Sequence, residues 1–147
     1  MDIINRLGLV GKASLDSASI ALKRKEGFKH LELQILKKDN LLDRVGIADR
    51  IHNLDVNILT VHTILDPDMG EVNLTEILLD DEWFNKLIQA LELAEEFALL
   101  QKHPVNVIIH NRDSIKMNYY LIKECRNRVG TLADLMSTRY EDTRILI

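Results

Sequence analysis

Two histidines and a glutamate occupy positions where polar side chains of an α/β protein are expected to meet. His62 and His110 each close a short run rich in Val and Ile, and Glu32 lies late in another such run. Ligands of parallel α/β folds bind at the carboxyl ends of the strands. Imidazoles and a carboxylate placed there could bind a metal or move protons on a polar substrate. Glu32, His62, His110 and the following Asn111 are therefore our candidate substrate-pocket residues.

Each of these residues also has a simpler interpretation. A histidine that ends a strand is often only a hydrogen-bonded loop residue, and Glu32 could lie on a solvated face. A pocket requires the side chains to share one face of the sheet. Neighbouring strands lie about 4.8 Å apart, so we predict that the side chains of His62 and His110 lie within about 10 Å of each other.

Common catalytic motifs are absent from the sequence. There is no glycine-rich phosphate loop, no Gly-x-Ser-x-Gly nucleophile elbow and no pair of cysteines with zinc-binding spacing. No residue is therefore assigned a catalytic or metal-binding role.

Composition predicts one soluble domain covering residues 1–147. The chain has 19 Lys and Arg against 23 Asp and Glu, a formal charge of −4, which argues against nucleic-acid and membrane-surface partners. The single Cys125 cannot form a disulfide within the chain, and Met1–Arg6 do not resemble the start of a signal peptide. No apolar run reaches the ~18 residues of a membrane span. We expect a cytoplasmic protein.

Short β-type runs alternate with helical patterns along the chain. The predicted strands are Arg6–Val10, Lys29–Ile35, Val56–His62, Val105–His110 and Thr143–Ile147. The predicted helices are Ser17–Lys25, Leu42–Leu54, Asp81–Lys102, Ser114–Arg128 and Leu132–Thr138. Asp16 and Gly27 are the expected cap and stop of the first helix, and residues 63–80 are predicted as a loop. In the fourth helix Ile115, Tyr119 and Ile122 share the predicted apolar side.

This alternation implies parallel strands joined by right-handed crossovers. One solution is half of a TIM (β/α)8 barrel, with about four βα units plus a fifth strand. The alternative is an open five-stranded doubly wound parallel sheet. Strands such as Lys29–Ile35 alternate Leu31, Leu33 and Ile35 with polar residues. A partly polar strand face favours the barrel, because a sheet covered by helices on both sides is apolar on both.

Several short motifs resemble the xylose isomerase-like barrels, which include sugar and sugar-phosphate isomerases and epimerases and the apurinic endonucleases. Gly27–Leu33 resembles their second strand, Val61–Thr63 the end of the third, and Val105–Asn111 the fourth, after the helical Leu93–Glu95. Thr143–Ile147 resembles the start of their fifth strand. The resemblance spans nearly the whole chain, and its weight lies in the order and spacing of the motifs.

The resemblance implies a divalent metal in a complete barrel, held by carboxylates and a histidine on strands five to eight. The first such ligand is typically a Glu after a run like Ile145–Ile147, where this chain stops. These ligands have no counterpart here, so no cofactor is expected for the chain alone. In the endonuclease branch, His62 and His110 would correspond to zinc ligands, but the acidic charge makes that branch the less favoured one.

The resulting hypothesis is a truncated or split xylose isomerase-like protein, related to metal-dependent isomerases and epimerases of a small sugar or sugar phosphate and inactive by itself. The alternatives are a non-enzymatic half-barrel assembly module that pairs with itself or a complementing half-barrel, and an unrelated open α/β binding domain. Unpaired edge strands and a concave face exposing Ile58 and Ile108 predict that the chain is not a monomer.

Overall fold

The computed structural model describes residues 8–66, 68, 70–110, 119–139 and 143–146. In chain order its elements are β1 (Gly11–Ser14), α1 (Ser17–Lys25), β2 (His30–Leu36), α2 (Arg44–His52), β3 (Asn57–Asp66), β4 (Gly70–Glu71), α3 (Leu74–Leu79), α4 (Asp81–Gln101), β5 (Val105–Ile109), α5 (Tyr119–Thr138) and β6 (Thr143–Leu146).

Five of these strands form one parallel sheet in the order β1-β2-β3-β5-β6. The short β4 pairs antiparallel with the end of β3. The predicted α/β architecture, a five-stranded parallel sheet flanked by helices, is confirmed at this level, which the half-barrel and the open sheet share. Ile147, the last residue of the predicted fifth strand, lies outside the described residues.

The two faces of the sheet differ in chemistry. The core face of β2 consists of the fully buried Leu31, Leu33 and Ile35. The core face of β5 consists of Val105, Val107 and Ile109, which are buried in the same way. The alternate positions make up what we call the polar face: Lys12, Glu32, Gln34, Thr60, His62, Asn106, Ile108, His110 and Arg144. Side chains alternate along a strand, so the core-forming residues fix which residues lie on the polar face.

The first strand was predicted at the wrong place. Gly8–Val10 form a turn and a coil rather than the strand expected over Arg6–Val10, of which Arg6 lies outside the described residues. Leu9 and Val10 are about half exposed, so their apolar character does not mark a core strand. The strand is Gly11–Ser14, where a Cβ on Gly11 would lie 2.9 Å from the Phe28 ring, so only glycine lets β1 approach this closely.

The first helix, α1, has the predicted bounds, and both of its end signals are confirmed. The Asp16 carboxylate accepts a hydrogen bond from the Ser19 amide at 2.7 Å and another from the Ser14 hydroxyl. The Ser14 hydroxyl chiefly, together with the Ser19 amide, holds the pKa of Asp16 below its ordinary value. Gly27 follows the helix with φ of 101°, a conformation that favours glycine.

The longest helix, α4, buries one apolar stripe. Leu87, Ala90, Leu91, Ala94 and Ala98 are buried against the sheet, and the helix ends before Lys102, whose φ is 58°. In the part of the chain that the structure describes, neither α4 nor any other helix is long and apolar enough to cross a membrane.

The segment predicted as a loop over residues 63–80 is largely regular. The third strand continues beyond His62 to Asp66, and α3 begins after Asn73. The Asn73 side chain accepts a hydrogen bond from the Glu76 amide, and the Glu76 carboxylate accepts one from the Asn73 amide, forming a capping box. The Asn-x-x-Glu spacing was the signal for this helix.

A single helix, α5, replaces the two predicted around Gly130. Gly130 lies inside it, with open space where a Cβ would stand. The predicted apolar side is wrong for Tyr119 and Ile122, which are exposed, while Ser114 and Ile115 lie outside the described residues. The helix packs instead through Leu132 and its partly buried neighbours.

Candidate functional site

Three of the four predicted pocket residues meet on the polar face, but two of them do not lie at strand ends as expected: Glu32 lies in the first half of β2, His62 lies within β3, and only His110 directly follows its strand, β5. His62 Nδ1 lies 3.0 Å from Glu32 Oε1, and His62 Nε2 lies 2.5 Å from His110 Nε2. The two imidazole ring centroids are 4.6 Å apart. The predicted convergence of the two histidines on one face is confirmed. The fourth residue, Asn111, lies outside the described residues.

Glu32 determines which ring nitrogen of His62 carries a proton. A carboxylate only accepts hydrogen bonds when ionised, so the proton on His62 Nδ1 is donated to Glu32. His62 Nε2 then faces His110 Nε2, and a hydrogen bond between these two nitrogens requires one of them to carry the proton that the other accepts. His62 is only 5% exposed, so this geometry is held by the surrounding chain rather than by solvent. The result is a carboxylate–imidazole–imidazole chain, which we call the Glu32 triad.

Lys12 on β1 extends this network by one strand. Its Nζ lies 3.3 Å from Glu32 Oε1, and Lys12 is paired with Glu32 in the register of β1 and β2. The Lys12 side chain is 63% exposed and that of Glu32 15%, so the ion pair closes the solvent side of the triad. Sequence reasoning missed Lys12 because it placed the first strand too early. The alternation of small, buried Gly11 and Ala13 around Lys12 was the available signal.

One row of polar residues crosses the whole sheet at the level of Glu32. Cα pairing joins Glu32 to Thr60, Thr60 to Asn106 and Asn106 to Arg144. Together with Lys12, this row contributes one side chain from each of the five parallel strands. The three residues beyond Glu32 were not among the predicted pocket residues, although Asn106 occupies a polar position in an otherwise apolar strand.

The described side chains do not form a ready metal centre. Two nitrogens bound to one tetrahedral zinc at 2.0–2.1 Å lie about 3.3 Å apart, well beyond the 2.5 Å between His62 Nε2 and His110 Nε2. In the ranges described above, no group of three or more histidine, cysteine, aspartate or glutamate side chains is placed to hold a metal ion. The Glu32 triad is arranged as a hydrogen-bonded chain.

The polar face, which the half-barrel prediction takes as the concave face, exposes less apolar surface than expected. Ile58, predicted to be exposed there, is fully buried, and its place on the polar face is taken by Thr60. The register between β2 and β3 shifts after Leu31, which turns Ile58 into the core. Ile108 remains partly exposed.

An apolar groove lies on the other side of the sheet, beside the edge strand β6. It has a volume of about 220 Å3. Its lining consists of side chains from α3, α5, β5 and β6: Leu74, Ile109, Val129, Leu132, Ala133, Met136 and Ile145. Val129 is half exposed at its border. This groove, unlike the polar face, is suited to cover by another apolar surface.

Comparison with known proteins does not place the chain in a family: no family model matches it, and no curated protein and no solved structure is significantly similar to it.

Proposed function

We propose that these residues form the N-terminal half of a xylose isomerase-like barrel, related to metal-dependent sugar isomerases and epimerases, whose polar face binds a small polyhydroxylated sugar. The observation that carries the proposal is the Glu32 triad, a hydrogen-bonded acid–base chain that joins β2, β3 and the end of β5, three adjacent parallel strands, on one face of the sheet. The cytoplasm is the proposed compartment.

The order of the strands supports the half-barrel. Each crossover moves one position in the same direction, from β1 through β6, with no reversal among the five parallel strands. A doubly wound sheet has a point where the order reverses, and a barrel does not. The helices also contact one another in succession, α1 with α2, α2 with α4 and α3 with both α4 and α5, as a single outer layer would.

The triad provides chemistry suited to a sugar. Glu32 orients His62, and the proton between the two Nε2 atoms can move toward either ring as a hydroxyl or carbonyl oxygen approaches. A divalent metal in a complete barrel would polarise the substrate oxygens. Its carboxylate ligands are expected from later strands, so the described residues bind and orient the sugar, and we expect no turnover by this chain alone.

Nuclear magnetic resonance of the histidine side chains tests the proposal. Adding D-xylose or D-fructose should shift the imidazole signals of His62 and His110 and leave His103, in the loop before β5, unchanged. Substituting His62→Gln should remove the response of His110. Unchanged His62 and His110 signals at saturating sugar would contradict sugar binding at this face. Sugar turnover with added Mn²⁺, abolished by Glu32→Gln, would contradict the expected inactivity.

A second function is favoured by the apolar groove. A half-barrel assembly module would use this groove and the neighbouring edge of β6 to pair with a second copy, and the Glu32 triad would have no catalytic role. The mass in solution tests this function independently of ligand binding.

A further inference from the structure

The polar face carries one basic side chain that the Glu32 triad does not engage. On β6, Thr143 is buried and its hydroxyl donates to Glu95 of α4 at 2.8 Å, while Ile145 lines the apolar groove. Arg144 stands between these two core-facing residues, so alternation places it on the polar face. It is exposed and is paired in register with Asn106.

The charges on this face are unevenly matched. Glu32 is the one carboxylate among the residues that define the polar face, and it is already contacted by Lys12 at 3.3 Å and by His62 at 3.0 Å. Arg144 forms no ion pair with any residue in the described part of the chain. Between Glu32 and Arg144 the row holds only the neutral Thr60 and Asn106. Within the described residues, Arg144 is thus a guanidinium without a carboxylate partner, three strands away from Glu32 in the same row.

We propose that Arg144, assisted by the Asn106 side chain, binds the anionic group of a sugar phosphate or sugar acid whose hydroxyl-bearing end reaches the Glu32 triad. This inference rests on the proposed sugar-binding function and names its substrate class. A guanidinium can donate two parallel hydrogen bonds to a phosphate or a carboxylate, which fixes the orientation of the ligand as well as its charge.

The dimensions of the sheet are compatible with this assignment. Two strand spacings separate β6 from β3, about 10 Å, and the arginine side chain is long enough to extend over β5. The inference requires a small sugar with a terminal anionic group to span this distance between Arg144 and His62. Thr60 and Asn106 lie beneath this path and offer hydroxyl and amide groups to the sugar.

Calorimetric titration of the full chain tests the inference with four probes: ribose 5-phosphate, ribonate, neutral ribose and inorganic phosphate. The wild-type chain should bind one or both anionic sugars at least about ten-fold more tightly than ribose. Arg144→Gln should abolish this preference while leaving ribose binding unchanged. Arg144→Lys should restore only part of it, because an ammonium lacks the paired donors. Arg50→Gln, at an exposed position on α2, is the matched control and should behave as wild type.

The outcomes separate this inference from the proposed function. Ribose binding without any preference for the anionic sugars, or a preference that survives in Arg144→Gln, overturns the role of Arg144 and leaves sugar binding intact. Failure of every sugar to bind overturns both. Binding of ribose 5-phosphate but not ribonate identifies phosphate as the recognised group, and the reverse identifies a carboxylate. Inorganic phosphate as tight as ribose 5-phosphate would show that Arg144 recognises an anion without the sugar, which also contradicts the inference.

Discussion

Glu32 stabilises the site by satisfying the buried edge of His62. Without it, His62 Nδ1 would keep its proton but lose the acceptor 3.0 Å away, in a residue that is 5% exposed. We expect Glu32→Ala to lower the free energy of unfolding by about 1–3 kcal/mol, the cost of an unsatisfied buried donor. Urea denaturation measures this change.

Two matched variants isolate that cause. Glu32→Gln keeps an acceptor for His62 and should cost less than Glu32→Ala. Lys12→Met removes only a solvent-exposed ion pair and should cost no more than about 1 kcal/mol. Equal losses for Glu32→Ala and Lys12→Met would show that the His62 hydrogen bond is not what stabilises the triad.

The sequence could predict which residues meet but not how they bond. The positions of His62 and His110 near strand ends, combined with alternation, were enough to place both on one face. The hydrogen bonding depends on register, which includes a shift after Leu31 that no local pattern indicates. That same shift buries Ile58 and brings Thr60 to the polar face. Lys12 entered the site only once the first strand was located at Gly11–Ser14, and Arg144, which lies in the predicted fifth strand, only once its register with Asn106 was known.

At the level of the helices, two glycines occupy backbone conformations with opposite preferences for a side chain. Gly27 has φ of 101° after α1, whereas Gly130 lies within α5 with open space at its missing Cβ. Gly27→Ala should destabilise the chain by about 1–2 kcal/mol, because an L side chain is strained there. Gly130→Ala should stabilise it by about 0.5–1 kcal/mol through higher helix propensity.

Thermal melts of the two alanine variants, compared with wild type, measure this contrast. Each variant serves as the control for the other, since the added methyl group is the same. A stabilising Gly27→Ala would contradict the left-handed stop after α1. A destabilising Gly130→Ala would indicate that α5 does not continue through that position, as the two separate predicted helices required.

Helices with strong ends were predictable from sequence, and those with weak signals were not. Asp16 and Gly27 bound α1, and Pro104 follows α4, so both helices were located to within a residue. Between Arg128 and Leu132, Gly130 is the one residue that could signal a helix end. A single glycine lowers helix propensity without ending a helix, so α5 continues through it. The short α3 was missed because its capping box lies in a segment that turn residues had marked as a loop.

For the whole molecule, the edge strands are protected on the polar face. β1 carries Lys12 there and β6 carries Arg144, both exposed, and inward-pointing charges on edge strands oppose unwanted pairing. The same two cations would repel each other if β6 of one copy were placed beside β1 of another in the same register. The apolar groove has no such guard, so self-association should use the groove side.

We therefore predict that the chain forms a dimer that buries the apolar groove. Light scattering should give a mass above the 16.9 kDa of one chain at micromolar concentration. Val129→Lys, at the half-exposed border of the groove, should shift the mass toward one chain. Val45→Lys, at an exposed position on α2, is the control and should not. A wild-type mass of one chain with a cooperative melt would contradict the prediction.

The side chain of Gln101, the last residue of α4, supplies hydrogen bonds to β3 at a level where the neighbouring strand β5 has not yet begun. Its amide group accepts from the Ile58 amide and donates to the Ile58 carbonyl at 3.0 Å. Extending the register of β3 and β5 would place Pro104, which has no N–H, opposite Ile58. Hydrogen exchange at the Ile58 amide thus depends on a helix terminus rather than on strand pairing. Local fraying of α4 would release that amide while the rest of the ladder stays closed.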